Sequence, residues 1–258
     1  MKHIFLNGHR FAYDLQGTGP ITVILETGLG AEAGEWQVVA DKINSRATVF
    51  LYDRAGRGES DPPSTARDAV QLHRDLNMLL AEAAVHPPFL LVGHSFGGVL
   101  TRVFARRRRN DVRGLVLVES MHPRQFEEIG PAIPELSAQE LPALTQMREF
   151  WRHGWVKAES SPELIDLPRS LQQDEALQNL GVLPLHVITA ASFRKLPFLP
   201  DLDAGQRLQS IWDSLQNDFV ALSPKTNHTR LDDSGHFVQR DAPMAIVEAI
   251  MPMLLAPD

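Results

Sequence analysis

The chain of 258 residues is 43% hydrophobic and 22% charged, the proportions of an ordinary globular protein, and its formal net charge is −7. It contains no cysteine, which excludes disulfides, thiolate metal sites and a cysteine nucleophile, and the acidic balance argues against a general nucleic-acid binder. No repeat or linker divides the chain, so one domain is expected. The opening MKHIFLNGHRF lacks the apolar core of a secretory signal, and no apolar run is long enough to span a bilayer. The expectation is a soluble, cytoplasmic protein.

Two short strands are predicted at residues 2–6 and 11–15, and a buried one at 21–27 leads into Gly28-Leu29-Gly30. Residues 36–43 read as helix, and 47–53 as a buried strand ending on Asp53. A helix is predicted over 66–84, with Ser64 or Thr65 as its cap and Asp68 in its first turn. A strand at 88–93 precedes a helix at 99–108. The run Arg106-Arg107-Arg108-Arg109 reads as the solvated C-terminal turn of that helix, where the dipole favours cations, rather than as a nucleic-acid patch. The strand at 112–118 ends on Glu119, with Ser120, His122 and Pro123 behind it. Further on come a strand at 185–190 and a helix over 204–222 presenting Leu208, Ile211, Leu215 and Phe219 on one face. A strand at 226–231 and a helix after Asp241 close the chain. This alternation predicts an α/β fold, a mainly parallel eight-stranded sheet flanked by helices, with its active site at the carboxyl ends of the strands.

Residues 121–183 break the alternation. Ser137-Ala138-Gln139-Glu140 is a capping box opening an amphipathic helix with Leu141, Leu144, Met147 and Trp151. Ser161-Pro162 reads as a second helix start and Gly181 as a helix stop. The division expected is a core of residues 1–120 and 184–258 with a helical cap, 121–183, inserted between two strands over the strand ends.

Gly93-His94-Ser95-Phe96-Gly97 follows a strand and opens a helix. In this G-x-S-x-G pattern the serine sits on a sharp strand-to-helix turn, with its hydroxyl projecting above the sheet and glycines admitting the neighbouring backbone. A nucleophilic Ser95 is the sharper reading, and a tight structural turn the plainer one. Serine needs a base, and His236, in Asp233-Ser234-Gly235-His236-Phe237, falls after the last strand on the same sheet edge. His94 is too near Ser95 on the turn to serve. The base in turn needs a carboxylate to hold its tautomer.

GHSFGG around Ser95, SGHF around His236 and YDRAGRGES from Tyr52 to Ser60 together resemble the α/β-hydrolase superfamily over nearly the whole chain, closest to its bacterial, esterase-like members. The resemblance implies a serine hydrolase that cleaves a carboxylic ester through an acyl-enzyme. Most members carry the acid after the strand matching 185–190, but here Ala191 to Pro197 hold none. A minority, including some haloalkane dehalogenases, move it to the end of the strand before the cap, which is Glu119 here. Asp201, Asp203 and Asp232 are the reserves. The backbone N–H groups of Leu29 and Phe96 are the implied oxyanion hole, although Thr27-Gly28 replaces the usual His-Gly.

A rival of another class is an NAD-dependent oxidoreductase. Gly28-Leu29-Gly30-Ala31-Glu32-Ala33 fits a dinucleotide turn, and Asp53 stands where a ribose-binding acid belongs. A non-catalytic receptor on the same fold is a third reading. No metal-ligand spacing or phosphate loop appears, so no cofactor or metal is expected. The substrate expected is a small ester with an apolar group, held by Phe126, Ile129, Ile133 and Trp151, with Leu144 and Trp155 nearby. Lactone, thioester, amide and carbon–carbon bond cleavage are alternatives on the same residues. Oligomeric state is not legible.

Overall fold

The apolar runs become strands because both faces of most of them are covered. The computed structural model describes residues 1–135, 140–176 and 179–255. The strands are β1 (Lys2–Leu6), β2 (His9–Gln16), β3 (Thr22–Glu26), β4 (Thr48–Tyr52), β5 (Phe89–His94), β6 (Val112–Val118), β7 (Leu185–Ala190) and β8 (Thr226–Leu231). Among the described residues they form one sheet in the order β1-β2-β4-β3-β5-β6-β7-β8. β2 runs antiparallel to both β1 and β4, and the other neighbours pair in parallel. Asn7 and Gly8, both at positive φ, make the β1–β2 turn, the Asn-Gly chemistry of a tight hairpin.

The helices are α1 (Gln37–Ile43), α2 (Ala69–Glu82), α3 (Phe96–Arg107), α4 (Gln125–Ile129), α5 (Pro142–Arg152), α6 (Leu167–Glu175), α7 (Leu202–Val220), α8 (Val238–Asp241) and α9 (Pro243–Leu255). Alternate residues of the central strands feed two cores. Val23, Leu25, Val92 and Val116 pack on Trp36, Ile43, Ile246 and Ile250, while Ile24, Phe50, Leu91 and Leu117 pack on Leu76, Leu80 and Phe104. From β3 the chain crosses to β4 on one side, whereas β3's other neighbour is β5. The crevice of such a sheet opens at that switch, above the carboxyl ends of β3 and β5. Those ends carry Thr27 to Gly30 and Ser95.

Several boundaries differ from expectation. α2 starts at Ala69, because Asp68 is itself the cap: its side chain accepts from Gln71 N–H while the Gln71 side chain accepts from Asp68 N–H. α3 begins directly at Phe96 rather than near Val99. The arginine run is less solvated than expected. Arg106 lies against Asp174, Arg108 bonds Asp111 and Asn77, and Arg109 donates to the Leu180 carbonyl. Ser161-Pro162 opens no helix: the segment makes a turn and a parallel bridge from Ile165 to Arg67, and α6 starts later, capped by Asp166. Gly181 lies beyond the end of α6, in a turn. α5 carries Leu144, Met147 and Trp151 as expected, but Leu141 is its exposed first flank. Ser137 to Gln139 of the expected capping box lie outside the described residues. Among the described residues no helix is long and apolar enough to cross a membrane.

Candidate active site

Ser95 sits between β5 and α3 with φ 52° and ψ −119°, a backbone region a non-glycine residue occupies only when its surroundings impose it. The surroundings do so. Ser95 N–H donates to the Val118 carbonyl at 3.1 Å, and its own carbonyl accepts from Gly98 and Met121 N–H at 3.0 and 2.9 Å. A Cβ on Gly93 would lie 2.5 Å from the Gly97 carbonyl oxygen, and one on Gly97 2.4 Å from that of Glu26. The two glycines therefore let α3 seat directly on β3 and β5. Phe96 N–H is at the first turn of α3, and Leu29 N–H lies in the loop after β3. Among the described residues no backbone acceptor is paired with either.

Glu119 follows β6 and is fully buried, with a positive φ of 46°. Its carboxylate accepts from Ala190 N–H at 2.5 Å, from Trp212 Nε1–H at 3.0 and 3.1 Å, and from the Ser192 hydroxyl. His236 Nδ1 lies 3.4 Å from its Oε2. A proton on Nδ1 aimed at the carboxylate leaves Nε2 as the ring's acceptor. The loop bearing His236 is held by His94, which stays neutral: burial, and then the neighbouring His236, push its pKa well below the ordinary histidine value. His94 Nε2 bonds the His236 carbonyl at 2.8 Å, Gln239 Nε2 lies 3.3 Å from its Nδ1, and the two imidazoles pack 4.7 Å apart.

Ser95 and His236 both face a cavity of about 460 Å³. Leu29, Phe126 and Trp151 line it as well, joined by Met121, Gln125, Met147 and Phe150 from the insertion and by Phe193, Phe198, Trp212 and Phe237 from the core. Apart from His236, no lining side chain among the described residues is of an ionisable type that carries a charge at neutral pH. Ile129 and Ile133, expected at the substrate, do not line it. They are buried with Leu144, Leu208 and Leu215, because the end of α4 and the turn after it pack toward α7. Trp155 stacks on Phe126 instead, with ring centroids 4.6 Å apart.

The reserve acids are occupied elsewhere. Asp201 caps α7 through Ala204 N–H at 2.7 Å, Asp203 is exposed, and Asp232 pairs with Arg194 at the surface. Asp53 accepts from Ala33 and Glu59 N–H at 2.9 and 3.2 Å, so both its oxygens organise loops rather than offering a ribose site. Gly30 N–H, which a dinucleotide turn would point at phosphate, already meets the carboxylate of Glu163. Among the described residues no cluster of acidic and histidine side chains could hold a metal ion.

The profile described as the alpha/beta hydrolase family matches residues 23–249. The chain belongs to that family. It is 26% identical to the uncharacterized protein YqjL of Bacillus subtilis over 236 residues, 91% of this chain and 84% of that one. A proline iminopeptidase of Saccharolobus solfataricus matches at 29% over 140 residues, 52% of this chain and 45% of that one. Among solved structures, a thermophilic esterase from Thermogutta terrifontis superposes with a TM-score of 0.64 at 18% identity, covering 98% of each chain. An alpha/beta hydrolase fold protein from Burkholderia ambifaria gives 0.66 at 21%, covering 97% of each. At such identities the likeness is one of fold.

Sequence reasoning did not reach Ser192 and Trp212, whose side chains donate to Glu119 beside His236. Trp212 lies one helical turn beyond Leu208 on α7, but the apolar face read from the sequence took Ile211 there instead, and nothing local marked the Trp212 N–H as a partner.

Proposed function

We propose that the protein is a serine hydrolase that cleaves a carboxylic ester through an acyl-enzyme, with residues 121–183 forming a cap over the site. The observation that carries this reading is the joint placement of Ser95 and His236. Ser95 stands on the strained turn at the foot of α3, and His236 faces the same cavity with its Nδ1 toward the buried carboxylate of Glu119. His236 Nε2 takes the hydroxyl proton as Ser95 Oγ attacks the ester carbonyl. Glu119 fixes the tautomer that makes this possible and stabilises the imidazolium that results. The developing oxyanion falls to the N–H groups of Leu29 and Phe96, helped by the positive end of α3. His236 then returns the proton to the leaving alkoxide, and water repeats the cycle on the acyl-enzyme.

The apolar, uncharged cavity wall suits a neutral ester with an apolar acyl or alcohol group. A panel of p-nitrophenyl esters, with wild type and Ser95→Ala in parallel, tests the proposal. Turnover in wild type and none in Ser95→Ala supports it. Equal turnover in both sinks it. Wild-type activity on lactones or amides but not on esters would keep the mechanism and change the substrate.

A further inference from the structure

The loop that supplies the Leu29 N–H is flanked by two glycines, and Gly30 has a φ of 76°. The loop's own backbone bond, Ala31 N–H to the Gly28 carbonyl, is long at 3.3 Å, and a chain so free does not by itself hold a hydrogen-bond donor to the few tenths of an ångström that stabilising a transition state requires. Something else must fix it. Arg54, just beyond β4, donates through Nη1 to the Thr27 carbonyl at 2.9 Å and to Thr27 Oγ1 at 3.0 Å, and through Nη2 to the Gly28 carbonyl at 2.6 Å. The Gly28 carbonyl and the Leu29 N–H belong to one planar trans peptide and point in opposite directions. Holding that carbonyl against the guanidinium turns the Leu29 N–H away from Arg54. A cation on the carbonyl also polarises the same amide, which strengthens its N–H as a donor.

The next peptide is held from the other end. Gly30 N–H donates to Glu163 Oε2 at 2.5 Å, while Glu163 Oε1 accepts from Arg54 Nε at 2.7 Å. Glu26 Oε2 lies 3.3 Å from Arg54 Nη1, and the Tyr52 hydroxyl donates to Glu26 Oε1. The side chains of Arg54, Glu163 and Glu26 are 2%, 0% and 2% exposed. Replacing a buried ion pair by apolar side chains is often neutral for stability, so cohesion alone does not account for three charges beside this loop.

Glu163 is the unexpected member, because it comes from the insertion between β6 and β7. It is rigidly placed there. Its N–H donates to Ser161 Oγ at 3.1 Å, and Leu164 N–H closes a turn onto the Ser161 carbonyl at 2.9 Å. The Leu164 carbonyl and Asp166 N–H bond the backbone of Arg67 at 2.8 and 2.9 Å, pinning the turn to the core.

We propose that Arg54 and Glu163 are positioning residues of the oxyanion hole, a clamp that fixes the peptide planes on both sides of Leu29 and makes the insertion part of the hole. The proposal rests on the serine-hydrolase reading above. It assigns these two residues a share of kcat rather than of substrate binding.

The test uses the full chain as wild type, Glu163→Gln, Glu163→Leu and Arg54→Lys, with p-nitrophenyl butyrate as substrate and an alkylboronic acid as a tetrahedral-adduct probe. Glutamine keeps the size and one acceptor, leucine keeps neither acceptor, and lysine keeps the charge but cannot span the same carbonyls. The expected result is a kcat lowered about tenfold in Glu163→Gln and about a hundredfold in Glu163→Leu and Arg54→Lys, with KM little changed. Boronate affinity should weaken in step with kcat. A purely structural tie would lower the melting temperature and leave kcat and boronate affinity at wild-type values, and that result overturns the proposal. Should Glu163→Leu fail to fold, Glu163→Gln decides by the same readouts. A wild type without Ser95-dependent turnover would overturn the hydrolase reading itself, and the clamp's role with it.

Discussion

Replacing Glu119 by glutamine keeps the shape of the side chain and exchanges an acceptor for a donor. The carboxylate takes hydrogen bonds from Ala190 N–H, Trp212 Nε1–H, the Ser192 hydroxyl and His236 Nδ1. An amide has one acceptor oxygen, and the backbone N–H of Ala190, 2.5 Å from Oε1, claims it. The amide NH2 then faces Ser192 and His236. Ser192 can rotate to accept, but His236 can accept only by carrying its proton on Nε2. That is the tautomer that cannot take a proton from Ser95, and a triad held in it loses about 10⁴ in rate, or roughly 5 kcal/mol in the barrier. Stability should fall less, by about 1–3 kcal/mol, for the donors left without a charged acceptor. Steady-state kinetics on p-nitrophenyl butyrate beside a thermal melt separates the two effects. A folded Glu119→Gln protein within about threefold of wild-type kcat/KM would refute the reasoning and move the acid elsewhere.

Asp201→Ala should remove the cap of α7, costing about 1 kcal/mol, and leave turnover unchanged; lost turnover in a folded variant would reinstate Asp201 as the acid. Trp151→Ala opens the cavity wall and should shift preference toward longer acyl chains, measured as the ratio of kcat/KM for octanoate and butyrate esters; an unchanged ratio would take Trp151 off the substrate. Burial sets the acid sensitivity of the fold. It pushes the pKa of His122 down to about 3, with Arg102 and Arg124 adding to the shift, and that of His94 well down also. An unfolded histidine titrates near about 6.5, so below that pH the unfolded chain binds protons that the native one refuses. Stability is therefore full above about pH 6.5 and falls as pH drops toward the native values, by at most about 1.4 kcal/mol per pH unit for each such group. Melting temperatures from pH 7.5 to 4.5 should decline, and less steeply in His122→Gln; parallel curves for the two proteins would contradict this.

The sheet was legible because its central strands are covered on both faces and so read as unbroken apolar runs ending in turn residues. Ser95 was legible for a related reason: the strand, the serine, its flanking glycines and the helix that make the turn are all contiguous in sequence. Glu119 could be read only as a carboxylate in an odd place, since the donors that surround it come from Ala190, Ser192 and Trp212, far along the chain. The insertion was the hardest part. Neither the short α4 nor the turn after it shows in sequence which side it buries, so Ile129 and Ile133 looked like Phe126 although of the three only Phe126 reaches the cavity. Ser161-Pro162 carried the residues of a helix start, but the chain closes a turn at Ser161 to Leu164 and then bridges to Arg67 at Ile165 instead of continuing as helix. The departure at Thr27 was visible and its compensation was not. Thr27 bonds Arg54, whose partner Glu163 lies more than a hundred residues away.

The central claim is that Ser95 is the nucleophile of this site, and a fluorophosphonate probe tests it most directly. The account predicts one label per chain, located on Ser95 by peptide mass, ester turnover lost as labelling proceeds, and no label on Ser95→Ala. Labelling of another residue, or turnover that survives complete modification of Ser95, would contradict it.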